Sequence, residues 1–186
     1  MRTDAEIIQI IDEAIKSIWV NEIRNDYENY RLLKEDTLKN VMYFHLRNRI
    51  GWLCDECDIR IFTEFTDRNF ESTGKIPDMV IAKVDMSKNV SYLGKAVTEC
   101  LAVIELKFKS RFAASQDIYA DYEKLRYYIE ELGVDCNLYM ATIWEQEDDA
   151  TSWVRKNAAW AKGKVTELNA SFNRKDGEPQ FYISPH

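Results

Sequence analysis

Two short segments hold residue types whose spacing suits phosphoryl chemistry. Glu105-Leu106-Lys107 is the single acidic-x-Lys triplet of the chain, and Pro77-Asp78 is its single Pro-Asp. On an extended strand successive side chains alternate across the two faces, so Glu105 and Lys107 project together while Ile104, Leu106 and Phe108 project the other way. Burying two charges in such an apolar run costs several kcal/mol per ion unless they are paired or bind a metal. Asp78 opens a second apolar run, Met79-Val80-Ile81-Ala82. If the two runs form a hairpin, Asp78 and Glu105 are expected to converge at one sheet edge. Two carboxylates beside a lysine make a seat for a hard divalent cation, Mg²⁺ or Mn²⁺, which takes oxygen ligands and keeps waters for its substrate.

The elements that must position these residues follow from periodicity. Ile7, Ile8, Ile11, Ala14, Ile15, Ile18 and Trp19 recur at helical spacing behind Asp4 as the cap. A second helix begins near Asp36 or Thr37, carries Leu38, Val41, Met42 and Leu46 on one side, and stops by Gly51. Strands are expected over 59–66, 78–84 and 100–109, the last with Cys100, Ala102, Ile104, Leu106 and Phe108 on a wholly apolar face. A helix over 115–132 shows the stripe Ile118, Tyr122, Leu125, Ile129 and Leu132, with Gly133 as its stop. A strand over 136–144, an acidic loop (Glu145, Glu147, Asp148, Asp149), a helix over 151–162 and a strand pair within 165–183 complete an α/β sandwich around a mixed sheet.

In this setting the two segments resemble the PD-(D/E)xK, or restriction-endonuclease-like, nuclease superfamily. Pro77-Asp78 matches the PD element and Glu105-Leu106-Lys107 the (D/E)xK element. The family core, α-β-β-β-α-β, matches the order over roughly residues 30–145, inside a single domain of 1–186 with an N-terminal helix and a C-terminal helix and strands outside it. The resemblance implies metal-assisted phosphodiester hydrolysis: Asp78 and Glu105 hold Mg²⁺ or Mn²⁺, and Lys107 activates water and offsets phosphate charge. Glu35, at the start of the second helix, matches the acidic residue many members add as a further metal ligand. The RecB-like branch carries Gln-x-x-x-Tyr on the helix after the motif strand; here Gln116 is followed at the matching position by Ala120. The substrate implied is nucleic acid, DNA by family frequency, with a homodimer or a protein partner left open. The rival reading is a catalytically inactive module of this fold that binds nucleic acid or protein.

Composition narrows the classes. A chain of 186 residues, 46% hydrophobic and 31% charged, has the make-up of an ordinary soluble globular domain. No apolar run reaches the roughly 18 residues of a membrane span, and acidic residues interrupt the N-terminal stretch where a signal peptide would lie, so a cytoplasmic setting is expected. A net charge of −7 excludes a broad basic face. Nucleic acid must then be met locally, by Lys109 and Arg111 beside the motif strand as phosphate contacts, or by Arg155, Lys156, Lys162 and Lys164. Trp153 and Trp160, seven apart, read as packing residues. His45 reads as a packed histidine that could lean toward the same site. Cys54 and Cys57 have ligand spacing but read as ordinary thiols, and Cys100 and Cys136 as buried ones.

Overall fold

The computed structural model describes residues 2–66, 70, 74–109, 116–145, 152, 154, 158–172 and 177–186. Helix α1 spans Asp4–Ile18. Its cap is Thr3 rather than Asp4: the Thr3 hydroxyl accepts from the Glu6 N–H while the Glu6 carboxylate accepts from the Thr3 N–H at 2.7 Å. That reciprocal arrangement satisfies two of the donors a helix start leaves open. A π-helical turn, Trp19–Ile23, leads into the short α2, Arg24–Glu28. Helix α3, Glu35–Glu56, runs straight through Gly51 instead of stopping there. A glycine inside a helix costs about 1 kcal/mol, and the burial of Ile50, Leu53 and Cys54 on either side outweighs it.

Six strands form one mixed sheet in chain order, β1 (Ile59–Thr63), β2 (Met79–Val84), β3 (Val97–Lys109), β4 (Asn137–Trp144), β5 (Val165–Phe172) and β6 (Pro179–Pro185). The β1/β2, β2/β3 and β5/β6 pairs are antiparallel, whereas β3/β4 and β4/β5 are parallel. A parallel pair needs a crossover, and α4, Gln116–Glu130, lies between β3 and β4 in the chain. The fold is therefore α+β, with helices on both sides of the sheet. Among the described residues no helix is long and apolar enough to cross a membrane.

Two cores result. On one face Ile11, Ile15, Ile18, Leu38, Met42 and Leu46 of α1 and α3 pack with Ile104, Leu106, Tyr139, Ile143 and Leu168. On the other, Tyr122, Leu125 and Tyr128 of α4 cover Val80, Val103, Leu138 and Val165. The apolar face expected of β3 is broken at Cys100. The β2/β3 register slips between Ile81 and Ala82, Leu101 joins the α1/α3 core, and Cys100 packs on the α4 side. A bulge reverses the alternation N-terminal to it. Of the helix expected over 151–162, Thr151, Trp153, Arg155 and Lys156 lie outside the described residues, and 159–164 form turns that lead into β5. Glu147, Asp148 and Asp149 and the side chain of Ile118 also lie outside them.

Candidate active site

Asp78 is placed by the hairpin. The β2/β3 register sets Met79 opposite Ile104, so Asp78, one residue earlier, stands beside Glu105. Its Oδ2 accepts from the Leu106 N–H at 2.9 Å, which ties the aspartate to the backbone one residue beyond Glu105. Its Oδ1 lies 2.9 Å from Lys39 Nζ of α3. Lys39 also pairs with Glu64, just past β1. Burial pulls the Lys39 ammonium toward neutrality, but the two carboxylates outweigh it and hold its pKa above the usual lysine range. The convergence is not at a sheet edge: β2 and β3 both have neighbours on either side.

Glu105 is fully buried. The Tyr128 hydroxyl lies 3.0 Å from its Oε1, and Lys124 Nζ lies 2.7 Å from its Oε2. Burial pushes the carboxyl up to about 8; Lys124 works against that shift, while the negative charges of Asp78 and Asp121 add to it. Tyr128, whose hydroxyl is also 3.0 Å from the Lys75 carbonyl oxygen, has its own ionisation pushed up by burial and by Glu105, so it remains a donor.

Lys107 leaves the same face two residues on. Its Nζ lies 2.9 Å from Glu35 Oε2 and 2.9 Å from Asp121 Oδ2. Glu35 is the first residue of α3, where the positive end of the helix dipole favours a carboxylate. The two carboxylates outweigh burial and keep the ammonium pKa raised. The four residues singled out from sequence, Glu35, Asp78, Glu105 and Lys107, thus lie in three adjoining groups of contacts that bring in Lys39, Glu64, Asp121, Lys124 and Tyr128. The last three lie three and four apart on α4, and Lys39 is four from Glu35 on α3. That spacing puts each set on one helical face. It was the available signal, and it reads as a solvated helix face until the packing on β3 is known.

Within these groups five carboxylates (Glu35, Glu64, Asp78, Glu105, Asp121) face three ammoniums (Lys39, Lys107, Lys124), so full ionisation leaves two positive charges wanting. Among the described residues no three His, Cys, Asp or Glu side chains form a ready ligand cluster, because lysines stand between the carboxylates. The donor set still suits a hard divalent cation. It is oxygen-only, carries the charge deficit of such an ion, and includes a carboxyl, Glu105, whose pKa burial pushes up to about 8.

Other expectations meet different fates. Lys109 is 4% exposed, and its ammonium sits 4.0 Å from the centroid of the Trp144 ring, so it packs inward instead of reaching out to a phosphate. Arg111 lies outside the described residues. His45 bonds Asp26 at 2.8 Å through Nε2 and takes no part in the site. Cys54 is buried in the α1/α3 core and Cys57 ends α3; burial pushes the Cys54 thiol up, which disfavours the thiolate a metal needs. Lys164 is 3.3 Å from Asp135 on the surface. Comparison of the chain with family models, with curated proteins and with solved structures finds no match.

Proposed function

We propose that the chain is a metal-dependent phosphodiesterase acting on nucleic acid, with a restriction-endonuclease-like core formed by α3, β1, β2, β3, α4 and β4. The observation that carries this reading is the tie between the two motif strands: Asp78 accepts from the N–H of Leu106, between Glu105 and Lys107. A carboxylate pair and a lysine that are 29 positions apart in sequence at their extremes are thereby held on one face.

Asp78 and Glu105 would hold Mg²⁺ or Mn²⁺, and Glu35, paired with Lys107, would be a further oxygen donor. The cation supplies Lewis acidity and a nucleophile at neutral pH. Around it the chain's own groups have separate tasks. Tyr128 and Lys124 fix the Glu105 carboxylate from both oxygens, and the Leu106 N–H fixes Asp78. Lys107, only 20% exposed at its side chain, sits in partial water exclusion, where its charge acts strongly on a developing phosphorane negative charge. Glu35 and Asp121 hold that ammonium between them, so it stays protonated through the neutral range.

The test is nicking of supercoiled plasmid and cleavage of single-stranded DNA in Mg²⁺ or Mn²⁺. Lys107→Ala and Asp78→Asn are expected to lower the rate by about a hundredfold or more, the usual loss when one electrostatic contact to the transition state is removed. Cleavage that persists in both variants at the wild-type rate removes this assignment and leaves a catalytically inactive binding module as the reading.

A further inference from the structure

The two edges of the sheet are protected unequally. Strand β1 is five residues long and carries Arg60, whose guanidinium bonds the carbonyl oxygens of Cys54 and Ile59. A short length and a charge are devices that keep an edge from pairing with another chain. Strand β6 has neither. It runs for seven residues, Pro-Gln-Phe-Tyr-Ile-Ser-Pro, with no charged side chain in a protein that is 31% charged. Among the described residues no strand pairs with its outer side.

Backbone bonds fix which residues of β6 turn outward. The His186 N–H donates to the Val165 carbonyl at 3.0 Å, and the His186 carbonyl accepts from the Gly163 N–H at 2.6 Å. His186 therefore turns both groups toward β5. In an antiparallel ladder that direction alternates along the strand, so Gln180, Tyr182 and Ser184 also bond β5. Pro179, Phe181, Ile183 and Pro185 face away. The prolines fit this assignment, because an outward position is where a missing N–H costs no ladder bond. What the edge leaves open between them is the N–H and C=O of Phe181 and Ile183.

A groove of about 710 Å³ follows this edge, lined by Gln180, Phe181, Tyr182 and Ser184 with Arg24 and Ser152 as walls. Successive strand residues point to opposite faces. A groove that touches 180, 181 and 182 in turn therefore runs along the rim of the strand and not over one face of the sheet.

We propose that β6 pairs antiparallel with β6 of a second copy of this chain, about a two-fold axis at Tyr182. The segment reads nearly the same in both directions from that residue: an apolar side chain, a polar one, then proline. The two-fold sets Phe181 opposite Ile183 of the second copy, where the two exchange both backbone bonds, and repeats the exchange on the other side. Each N–H that the edge leaves open is then used. Phe181 with Ile183 is an aromatic and β-branched pair of the kind that stabilises sheets, and Gln180 with Ser184 is a polar one. Pro179 meets Pro185, so neither strand presents a donor there that the other must answer, and the ladder stops. No like charges oppose one another. A single strand pair is a small interface, which makes the dimer a reversible one. This pairing is independent of the phosphodiesterase reading, and its test reads no cleavage.

The experiment is sedimentation equilibrium of the full chain over a concentration series, in salt sufficient to screen the −7 charge of each copy. The average mass is expected to climb toward twice that of one chain. Ile183→Pro removes an outward N–H and leaves the bonds to β5. It should stay monomeric where wild type is dimeric, with an unchanged far-UV circular dichroism spectrum. Tyr182→Cys tests the register without relying on that variant. Directly opposed residues of this kind have Cα atoms about 4.5 Å apart, within disulfide reach, so oxidised glutathione should link two Tyr182→Cys chains covalently. In Gln180→Cys the two cysteines are displaced along the strands by about 14 Å and should not link. Wild type, with its four native cysteines, is the control and should not link either. A chain that stays monomeric throughout and gives no Tyr182→Cys link overturns the pairing. So does a dimer that Ile183→Pro leaves intact, or linking that is equal at 180 and 182.

Discussion

Glu105 carries the sharpest physical consequence of the site. A carboxyl that ionises near 8 in the fold and at the ordinary 4.5 when unfolded holds its proton more tightly in the native state. The native state then binds more protons than the unfolded one between those values, so stability is complete below about pH 4.5 and falls as pH rises through about 8. The loss is about 1.4 kcal/mol for each pH unit inside that window. Glu105→Gln cannot ionise and keeps the hydrogen-bonding shape. In EDTA, the melting temperature of wild type is therefore expected to fall more steeply than that of Glu105→Gln from about pH 5 to about pH 8. Parallel pH profiles would mean that Glu105 is already ionised in the fold. Glu105 and Lys107 were legible in the sequence because a charged pair on one side of an apolar strand has few structural uses. The proton on Glu105 was not, since it depends on what is packed above the strand.

At the scale of elements, α4 decides how the site is supported. It contributes Asp121 to Lys107, and Lys124 and Tyr128 to Glu105. Its apolar stripe announced the helix and its Tyr122 and Leu125 contacts, yet Tyr128 lies outside that stripe and is fully buried. A tyrosine one turn beyond a lysine reads as surface until a buried carboxylate is found beneath both. Tyr128→Phe leaves Glu105 Oε1 and the Lys75 carbonyl without this hydroxyl, at a cost of about 1–3 kcal/mol. Chemical denaturation should show that loss in the midpoint with an unchanged slope, and cleavage should slow because Glu105 is less well fixed. A Tyr128→Phe protein as stable and as active as wild type would make the hydroxyl a bystander. Strand alternation put Glu105 and Lys107 on one face, and the meeting of Asp78 with Glu105 was legible only on the condition that the two strands pair as a hairpin, which they do. Alternation could not give the bulge at Leu101, the length of α3 past Gly51 or the turns of 159–164. Each of these is set by tertiary packing that overrides a local stop or period.

Across the whole molecule the balance of charge supports the proposal that a divalent cation binds at this site. The chain carries −7 overall, and its site lacks two positive charges when fully ionised. The long-range charge attracts any cation and is screened by ordinary salt, whereas the proposed site would select for a compact ion that takes oxygen ligands. These two effects separate experimentally. A ligand that binds only the native state at a hundred times its dissociation constant stabilises by about 2.7 kcal/mol. Millimolar Mg²⁺, Mn²⁺ or Ca²⁺ should therefore raise the melting temperature by several degrees, beyond what NaCl of equal ionic strength achieves. The rise should be larger at about pH 8 than at about pH 6, because binding must first displace the proton of Glu105. Asp78→Asn removes one proposed ligand and one charge, and it should respond to divalent ions no more than to NaCl. If wild type and Asp78→Asn gain equally from Mg²⁺, the gain is screening of the overall negative charge and the carboxylates at β2 and β3 hold no ion. If only wild type gains, and gains more as Glu105 ionises, the ion sits where the two motif strands meet.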